Sequence, residues 1–199
     1  MSGPGQVTTH GATRDDAQRA SDCDLLRLIA LRDEGAMAEL YRRYGRIVFG
    51  QILLVVGERT LAEEILQDTM LAVWRGADSY RGESVVLSWV IAIARRRTRD
   101  RMRGRRLRVV DETFAGEQAS PDPGPELVAL DRAELAEVTA AIRLLAPAHR
   151  EVLGLALGTG LSLPEVADVL EIPVGTVKSR LVAARSALGR VLTEKGLNR

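Results

Sequence analysis

Residues 162–185, SLPEVADVLEIPVGTVKSRLVAAR, determine the fold expected for the second half of the chain. Ser162 can cap a helix start, and Glu165, three residues later, can reach back to the same backbone, which is the capping-box pattern. The helix that begins there must end before Pro173, and a second stretch with apolar residues at helical spacing follows. The sequence therefore predicts two helices joined by one tight turn.

The turn between these two helices has the features of a DNA-binding helix-turn-helix. Ala167 is small enough for two helices to cross closely, and Val177 can pack into the same junction. Glu171 departs from the pattern, because such turns often carry glycine. The second helix has no acid between Val174 and Arg190, and its outward positions carry hydrogen-bond donors. Phosphates and base edges require such a face.

The whole chain is expected to be all-α. Only 4% of its 199 residues are aromatic, and long segments repeat apolar residues every three to four positions.

The apolar run Ile47–Val56 is interrupted by Gly50 and Gln51 and is far shorter than the roughly 20 residues of a membrane span. Residues 1–20 lack the apolar core of a secretory signal. We therefore expect a cytoplasmic protein with a disordered tail at 1–20.

Two small helical domains are predicted, 21–107 and 126–199. The linker between them, 108–125, is rich in glycine, proline and acids, so we expect it to be flexible. The second domain should hold four helices, broken at Pro147, at Gly158–Gly160 and at Glu171–Pro173. The first should hold four helices that share one core: Ser21–Arg32, Gly35–Val56, Thr60–Arg75 and Val86–Arg106.

Charge is strongly polarised along the chain although the net charge is only +1. Arg95–Arg108 holds nine arginines and one aspartate, 9 − 1 = +8, whereas Asp111–Glu137 holds one arginine and eight acids, 1 − 8 = −7. Arginines at this density repel one another unless phosphates neutralise them. Trp89 stands beside this run, where an aromatic ring can stack on unpaired bases. A polyanionic partner is indicated.

No catalytic or metal-binding pattern is found in the sequence. Cys23 is the only cysteine, and with His10 and His149 it forms no zinc-like spacing. No glycine-rich phosphate loop or nucleophile constellation is present. We therefore expect neither a cofactor nor a metal, and no enzymatic activity.

Two blocks of sequence, about Met37–Arg106 and Leu144–Leu192, resemble the sigma-70 superfamily, and within it the small two-domain factors of the extracytoplasmic-function group. The second block is similar to region 4 of that family at Leu145–Pro147, Arg150–Val152, Gly160–Ser162 and Ile172–Leu181. The first is similar to region 2 at Glu39–Tyr44, Ala62–Thr69, Trp74–Arg75 and Tyr80–Ser84. Membership would make the chain a transcription initiation factor that recognises promoters, melts the −10 region and has no catalysis of its own.

The resemblance also implies site residues. Duplex at the −35 element would be contacted by Thr176, Lys178, Ser179, Arg180, Val182, Ala183 and Arg185. The −10 element, as single strand with a flipped base, would be held by Tyr80, Arg81, Gly82, Glu83, Ser84, Trp89, Arg95, Arg96 and Arg99. The clamp helices of the largest polymerase subunit would be contacted by Glu63, Glu64, Gln67, Asp68 and Leu71.

Further partners follow from the same resemblance. They are promoter DNA, the flap of the second-largest polymerase subunit and an anti-sigma protein, and the free chain would be a monomer.

At several positions the chain departs from its relatives. Val182 and Ala183 are smaller than usual, Ile91 and Ala92 replace larger or polar residues, and Arg96 replaces a common asparagine, so the promoter sequence is not predicted.

Two other classes of protein account for part of the sequence. A helix-turn-helix repressor or activator would bind duplex DNA without polymerase, but it has no use for an acidic helix paired with a tryptophan-bearing arginine helix. An arginine-rich RNA-binding adaptor would explain Arg95–Arg108 and leave Ser162–Arg185 unexplained.

Overall fold

A computed structural model describes residues 14–111 and 139–194, and within these ranges all regular structure is helical. None of the described helices is both long and apolar enough to span a membrane. A short 3₁₀ turn covers Ala77–Ser79, and residues 139–143 are helical. The α-helices are α1 (Arg14–Ala30), α2 (Glu34–Val56), α3 (Arg59–Gly76), α4 (Val86–Asp111), α5 (Pro147–Gly158), α6 (Leu163–Leu170) and α7 (Val174–Glu194).

Two predicted boundaries were wrong. Helix α1 begins at Arg14, so residues 14–20, which were assigned to the disordered tail, are helical. Helix α4 ends at Asp111, so residues 108–111, assigned to the linker, are also helical. Both extensions lack glycine and proline, so nothing in the local sequence stops the helix. The rest of the predicted tail, the rest of the linker and residues 126–138 lie outside the described residues.

Helix α2 is bounded by the signals that its sequence carries. Asp33 caps its start, with the carboxylate accepting a hydrogen bond from the Ala36 backbone N–H at 2.7 Å. Gly57 ends it with φ of 77°, a left-handed conformation that glycine adopts without a steric penalty. The helix end predicted at Val56 is therefore confirmed.

Helices α1 to α4 enclose the core of the first domain. Leu40, Ile65, Val73 and Val90 are completely buried in it. A buried polar cluster joins α1 to α2, where Asp22 accepts hydrogen bonds from the Arg43 guanidinium at 2.7 Å and from the Tyr44 hydroxyl. Burial, reinforced by the bond to Asp22, raises the pKa of Tyr44. The first two helices are thus tied together by charge as well as by apolar packing.

The predicted helix-turn-helix is formed by α6 and α7. The backbone N–H of Ser162 donates to the Glu165 carboxylate at 2.7 Å, and the Ser162 hydroxyl accepts from the Glu165 backbone N–H at 3.4 Å, which completes the capping box. Ala167 and Val177 are buried where the two helices meet. Glu171 forms the turn with φ of 57°. A non-glycine residue therefore occupies the left-handed position at which glycine is common.

The two domains pack directly against each other. Helix α5 lies on α2, and α6 lies on α4. The buried side chains of both domains form one continuous apolar cluster. The sequence analysis predicted two domains joined by a linker and did not predict this contact.

Replacing Ser162 with alanine should lower the free energy of unfolding by about 1 kcal/mol, because the N-terminal N–H groups of α6 lose their acceptor. Urea unfolding followed by circular dichroism measures this change. Ser186→Ala is the matched control, because Ser186 is an exposed serine in the interior of α7. Equal effects of the two substitutions would contradict a capping role for Ser162.

Candidate nucleic-acid interface

Helix α7 presents all seven of its candidate residues away from the buried core of the second domain. Lys178, Ser179 and Arg185 are exposed, and Thr176 and Arg180 are half-buried. Val182 is 66% exposed and, with exposed Ala183, leaves a shallow apolar strip beside the donors. The opposite side of the helix buries Val177, Leu181 and Ala184. The result is a shallow, acid-free face that a major groove can accept.

The arginines of α4 fall into two groups. Some are already paired with acids: Arg95 with Glu151 at 2.5 Å, Arg101 with Asp68 at 2.6 Å and Glu64 at 3.2 Å, and Arg105 with Glu58 at 2.6 Å. Others, namely Arg96, Arg97, Arg99 and Arg103, are exposed and have no acid within 4.0 Å among the described residues. The second group leaves positive charge facing solvent along the helix.

The loop 80–84 closes beside the start of α4. The Tyr80 hydroxyl donates to the Ser84 carbonyl oxygen, and Gly82 has φ of 76°. The Tyr80 ring meets the half-buried Trp89 ring edge to face, with centroids 5.5 Å apart. Arg81, Gly82 and Glu83 are exposed at the tip. The structure therefore brings the predicted loop and Trp89 together, with the exposed arginines of α4 further along the same helix.

The acids expected to contact polymerase lie on α3 and are largely neutralised by arginines. Asp68 and Glu64 receive the Arg101 guanidinium, and Glu63 pairs with Arg59 at 2.9 Å. The hydrogen bond from Arg101 to Asp68 is the main cause of a raised pKa at Arg101. Gln67 is exposed, and Leu71 is 45% exposed. The face therefore consists of an uncharged centre flanked by ion pairs and not of free negative charge.

A seam between the domains contains residues that were not predicted to be functional. The Gln51 side chain of α2 donates to the Gly154 carbonyl oxygen of α5 at 3.0 Å. Arg95 of α4 binds Glu151 of α5 and lies 4.0 Å from Glu171 in the helix-turn-helix turn. One signal was available in the sequence, since α5 carries glycines at 154 and 158, four residues apart and hence on one face.

A cavity of about 420 Å³ lies along this seam, lined by apolar residues of α2, α4 and α5 together with Arg95, Arg99, Arg103 and Arg150. Burial, and then the nearby charge of Arg143, lowers the pKa of Arg150. Among residues 14–111 and 139–194, no group of three histidine, cysteine, aspartate or glutamate side chains is placed to hold a metal ion.

Two family models match the chain. Sigma-70 region 2 matches residues 40–108, and Sigma-70, region 4 matches residues 135–188. The first match contains α3 and most of α4, and the second contains the helix-turn-helix.

Curated relatives are similar over most of their length. The RNA polymerase sigma factor CnrH of Cupriavidus metallidurans is 31% identical over 169 residues, which cover 80% of this chain and 88% of that protein. The ECF RNA polymerase sigma factor SigK of Mycolicibacterium vanbaalenii is 35% identical over 172 residues, which cover 84% of this chain and 87% of that protein.

Solved structures share the fold. CnrH in complex with the cytosolic domain of CnrY superimposes with a TM-score of 0.65 at 24% identity and covers 87% of this chain and 98% of that one. The sigma factor RpoE in complex with the anti-sigma factor NepR from Bartonella quintana gives 0.68 at 23% identity, over 81% of this chain and 99% of that one.

Proposed function

The chain belongs to the sigma-70 family as an extracytoplasmic-function RNA polymerase sigma factor, and we propose from this a division of labour among its surfaces. Helix α7 reads the −35 element as duplex, the loop 80–84 with α4 captures the −10 element as single strand, and α3 contacts core polymerase. The domains 21–107 and 126–199 correspond to regions 2 and 4. A repressor without polymerase would have no use for a region 2, and an RNA-binding adaptor would have none for the helix-turn-helix.

The observation that carries this proposal is the presence of two unlike DNA-facing surfaces on separate domains. The α7 face has donors, no acid and a shallow profile, which suits a duplex groove. The loop 80–84 offers aromatic rings beside exposed arginines, which suits a strand whose bases are unstacked. A protein that only bound duplex DNA would require the first surface alone.

On α7, Lys178, Arg180 and Arg185 supply cationic donors for the phosphates and base edges of the −35 duplex. Thr176 lies in the first turn of α7, and the N-terminal end of a helix also favours a phosphate. Ser179 donates to the Thr176 carbonyl oxygen at 3.0 Å in the free chain, so it must rotate to contact DNA. Val182 and Ala183 offer only apolar contact, for example to a thymine methyl group.

In the first domain, Tyr80 and Trp89 form the wall against which an extruded −10 base is held. Extrusion costs a few kcal/mol of stacking, which contacts in the pocket must return. The exposed tip, Arg81 to Glu83, and Ser84 contact the base and its sugar. Arg96 and Arg99 neutralise strand phosphates, and Arg95 does the same once its ion pair with Glu151 is broken.

On α3, Gln67 and Leu71 form the centre of the polymerase contact, and Glu63, Glu64 and Asp68 surround it. A partly apolar centre with a charged rim is the usual composition of a protein interface. We propose the clamp helices of the largest subunit as the partner of this face and the flap of the second-largest subunit as a partner of region 4. An anti-sigma factor is a further proposed partner, since the fold neighbour RpoE is bound to one. We propose a monomeric, cytoplasmic chain when free.

Run-off transcription with purified core RNA polymerase tests the proposal as a whole. Genomic promoter fragments from the source organism serve as templates, with and without the chain. Transcripts with defined start sites that require the chain are expected, and their upstream sequences give the two elements. Binding of the chain to duplex DNA without any dependent transcript would contradict the proposal.

Lys178→Ala combined with Arg180→Ala should reduce transcription from promoters with a duplex −35 element by at least about tenfold, because each side chain contributes a phosphate or base contact. Affinity for core polymerase, measured by fluorescence anisotropy of labelled chain, should not change. Arg190→Ala is the control, an exposed arginine further along α7. A parallel loss of core affinity would refute the assignment of α7 to DNA alone.

Gln67→Ala combined with Asp68→Ala should weaken core affinity by about fivefold to tenfold, because the centre of the α3 contact is removed. Binding to a −35 duplex oligonucleotide should stay the same. Asp68 also holds Arg101, so Arg101→Met is the matched control that breaks the same ion pair without touching α3. If Arg101→Met reproduces the whole loss, the effect comes from the ion pair and the α3 assignment is wrong.

A further inference from the structure

The cavity between α2, α4 and α5 has the size of a small-molecule site. Its volume is about 420 Å³, and ligand pockets in proteins occupy about 300 to 1,000 Å³. Apolar side chains of all three helices form much of its wall, namely Ile52 and Val55 of α2, Ile91 and Met102 of α4, and Leu155 of α5. Such a wall favours the apolar part of a ligand, because covering apolar surface releases water from it.

The charged groups of the same cavity are mostly arginines. Arg95, Arg99 and Arg103 come from α4 and Arg150 from α5. Glu151 is the only acid among the described residues that line the cavity, so the lining has a formal charge of 4 − 1 = +3. Arg95 already binds Glu151 at 2.5 Å, which shows that a carboxylate fits beside a guanidinium at this wall. The other three arginines have no acid within 4.0 Å in the described part of the chain.

Arg150 lacks the partner that a buried cation requires. Its side chain is half-buried, Nη1 donates to the Arg143 carbonyl oxygen at 3.2 Å, and Nε is buried without an acceptor among the described residues. Burial, followed by the charge of Arg143, lowers the pKa of Arg150. The guanidinium still stays protonated at neutral pH. An anion in the cavity would supply both the missing acceptor and the missing negative charge.

We propose that this cavity binds a small amphiphilic anion, whose carboxylate or phosphate head binds Arg150 and whose acyl or aromatic body lies against the apolar wall. Arg99 and Arg103, which are exposed, attract the anion from solvent. The ligand is neither promoter DNA nor polymerase, so the proposal goes beyond the proposed function and does not depend on it.

Simpler ligands and nucleic acid fit this lining less well. Inorganic phosphate would pair with Arg150 but leave the apolar wall uncovered, and a neutral hydrocarbon would leave the buried guanidinium without a partner. A nucleic-acid strand requires a row of cations, whereas α5 supplies only the half-buried Arg150. An apolar body with one anionic head matches both parts of the lining.

Equilibrium dialysis of the full chain against radiolabelled ligands tests the class of ligand. The ligands are decanoate, decyl phosphate, decanol and inorganic phosphate, each below its micelle concentration or solubility limit. Decanoate or decyl phosphate should bind at least about tenfold more tightly than decanol, because a charge-assisted hydrogen bond to Arg150 gives a difference of that order. The tighter of the two amphiphiles identifies the head group. Binding of neither amphiphile, or equal binding of decanol, would overturn the proposal.

Hexanoate measures the apolar contribution. Each methylene group that is buried contributes up to about fourfold in affinity. Hexanoate is four methylene groups shorter than decanoate and should therefore bind at least about tenfold more weakly. If hexanoate or inorganic phosphate binds as tightly as decanoate, the apolar wall has no part in binding and the proposal is wrong.

Arg150→Met should weaken decanoate binding by at least about tenfold, because the head loses its donor while the length of the side chain is kept. Arg46→Met is the matched control, since Arg46 is an exposed arginine of α2 that does not line the cavity. It removes the same charge without removing a contact. An equal loss in both variants would mean that net charge alone attracts decanoate, and the assignment of the cavity would fail.

Val55→Phe tests the apolar wall without changing any charge. The larger ring should occupy part of the cavity and weaken decanoate binding by at least about fivefold, because several methylene groups lose their place. Circular dichroism checks that the helices are retained, and Met102→Trp, from α4, repeats the test if Val55→Phe loses them. Unchanged affinity in a folded variant would place decanoate elsewhere on the chain and overturn the proposal.

Discussion

Repulsion among the arginines of α4 is the constraint on which the arrangement of surfaces depends. The helix carries its apolar residues in its first turns and its arginines after them, so its second half cannot be stabilised by burial. Acids of α3 neutralise Arg101, Glu58 just before α3 neutralises Arg105, and Glu151 of the second domain neutralises Arg95. Arg96, Arg97, Arg99 and Arg103 face solvent, where a nucleic acid can supply the missing negative charge.

This constraint makes neighbouring surfaces share residues. Asp68 belongs to the proposed polymerase face and at the same time holds Arg101 of α4, the helix proposed to bind DNA. Glu151 belongs to the second domain and holds Arg95 of the first. A substitution at either acid therefore changes two surfaces. A loss of function can be assigned to one of these surfaces only by comparison with a second variant, in which the arginine of the same ion pair is replaced.

Local features were predictable from the sequence because their causes are local. The capping box at Ser162, the proline at 173 and the glycine at 57 fix helix ends through bonds within a few residues, and the structure has all three ends where the sequence predicts them. The apolar spacing of α7 also predicted which side of that helix is exposed. The end of the tail and the start of the linker were misplaced because residues 14–20 and 108–111 contain no glycine or proline that would stop a helix.

The seam could not be predicted, because it depends on pairs of residues about 55 to 100 positions apart, although each member breaks a local rule. Gln51 interrupts an apolar run, Gly154 weakens a helix, and Glu171 holds a turn that suits glycine. Each choice is unfavourable within its own helix or turn, and each becomes favourable once the other domain is in place. Local rules are broken where a longer-range contact compensates, so these three departures together identify a surface that no single motif would have indicated.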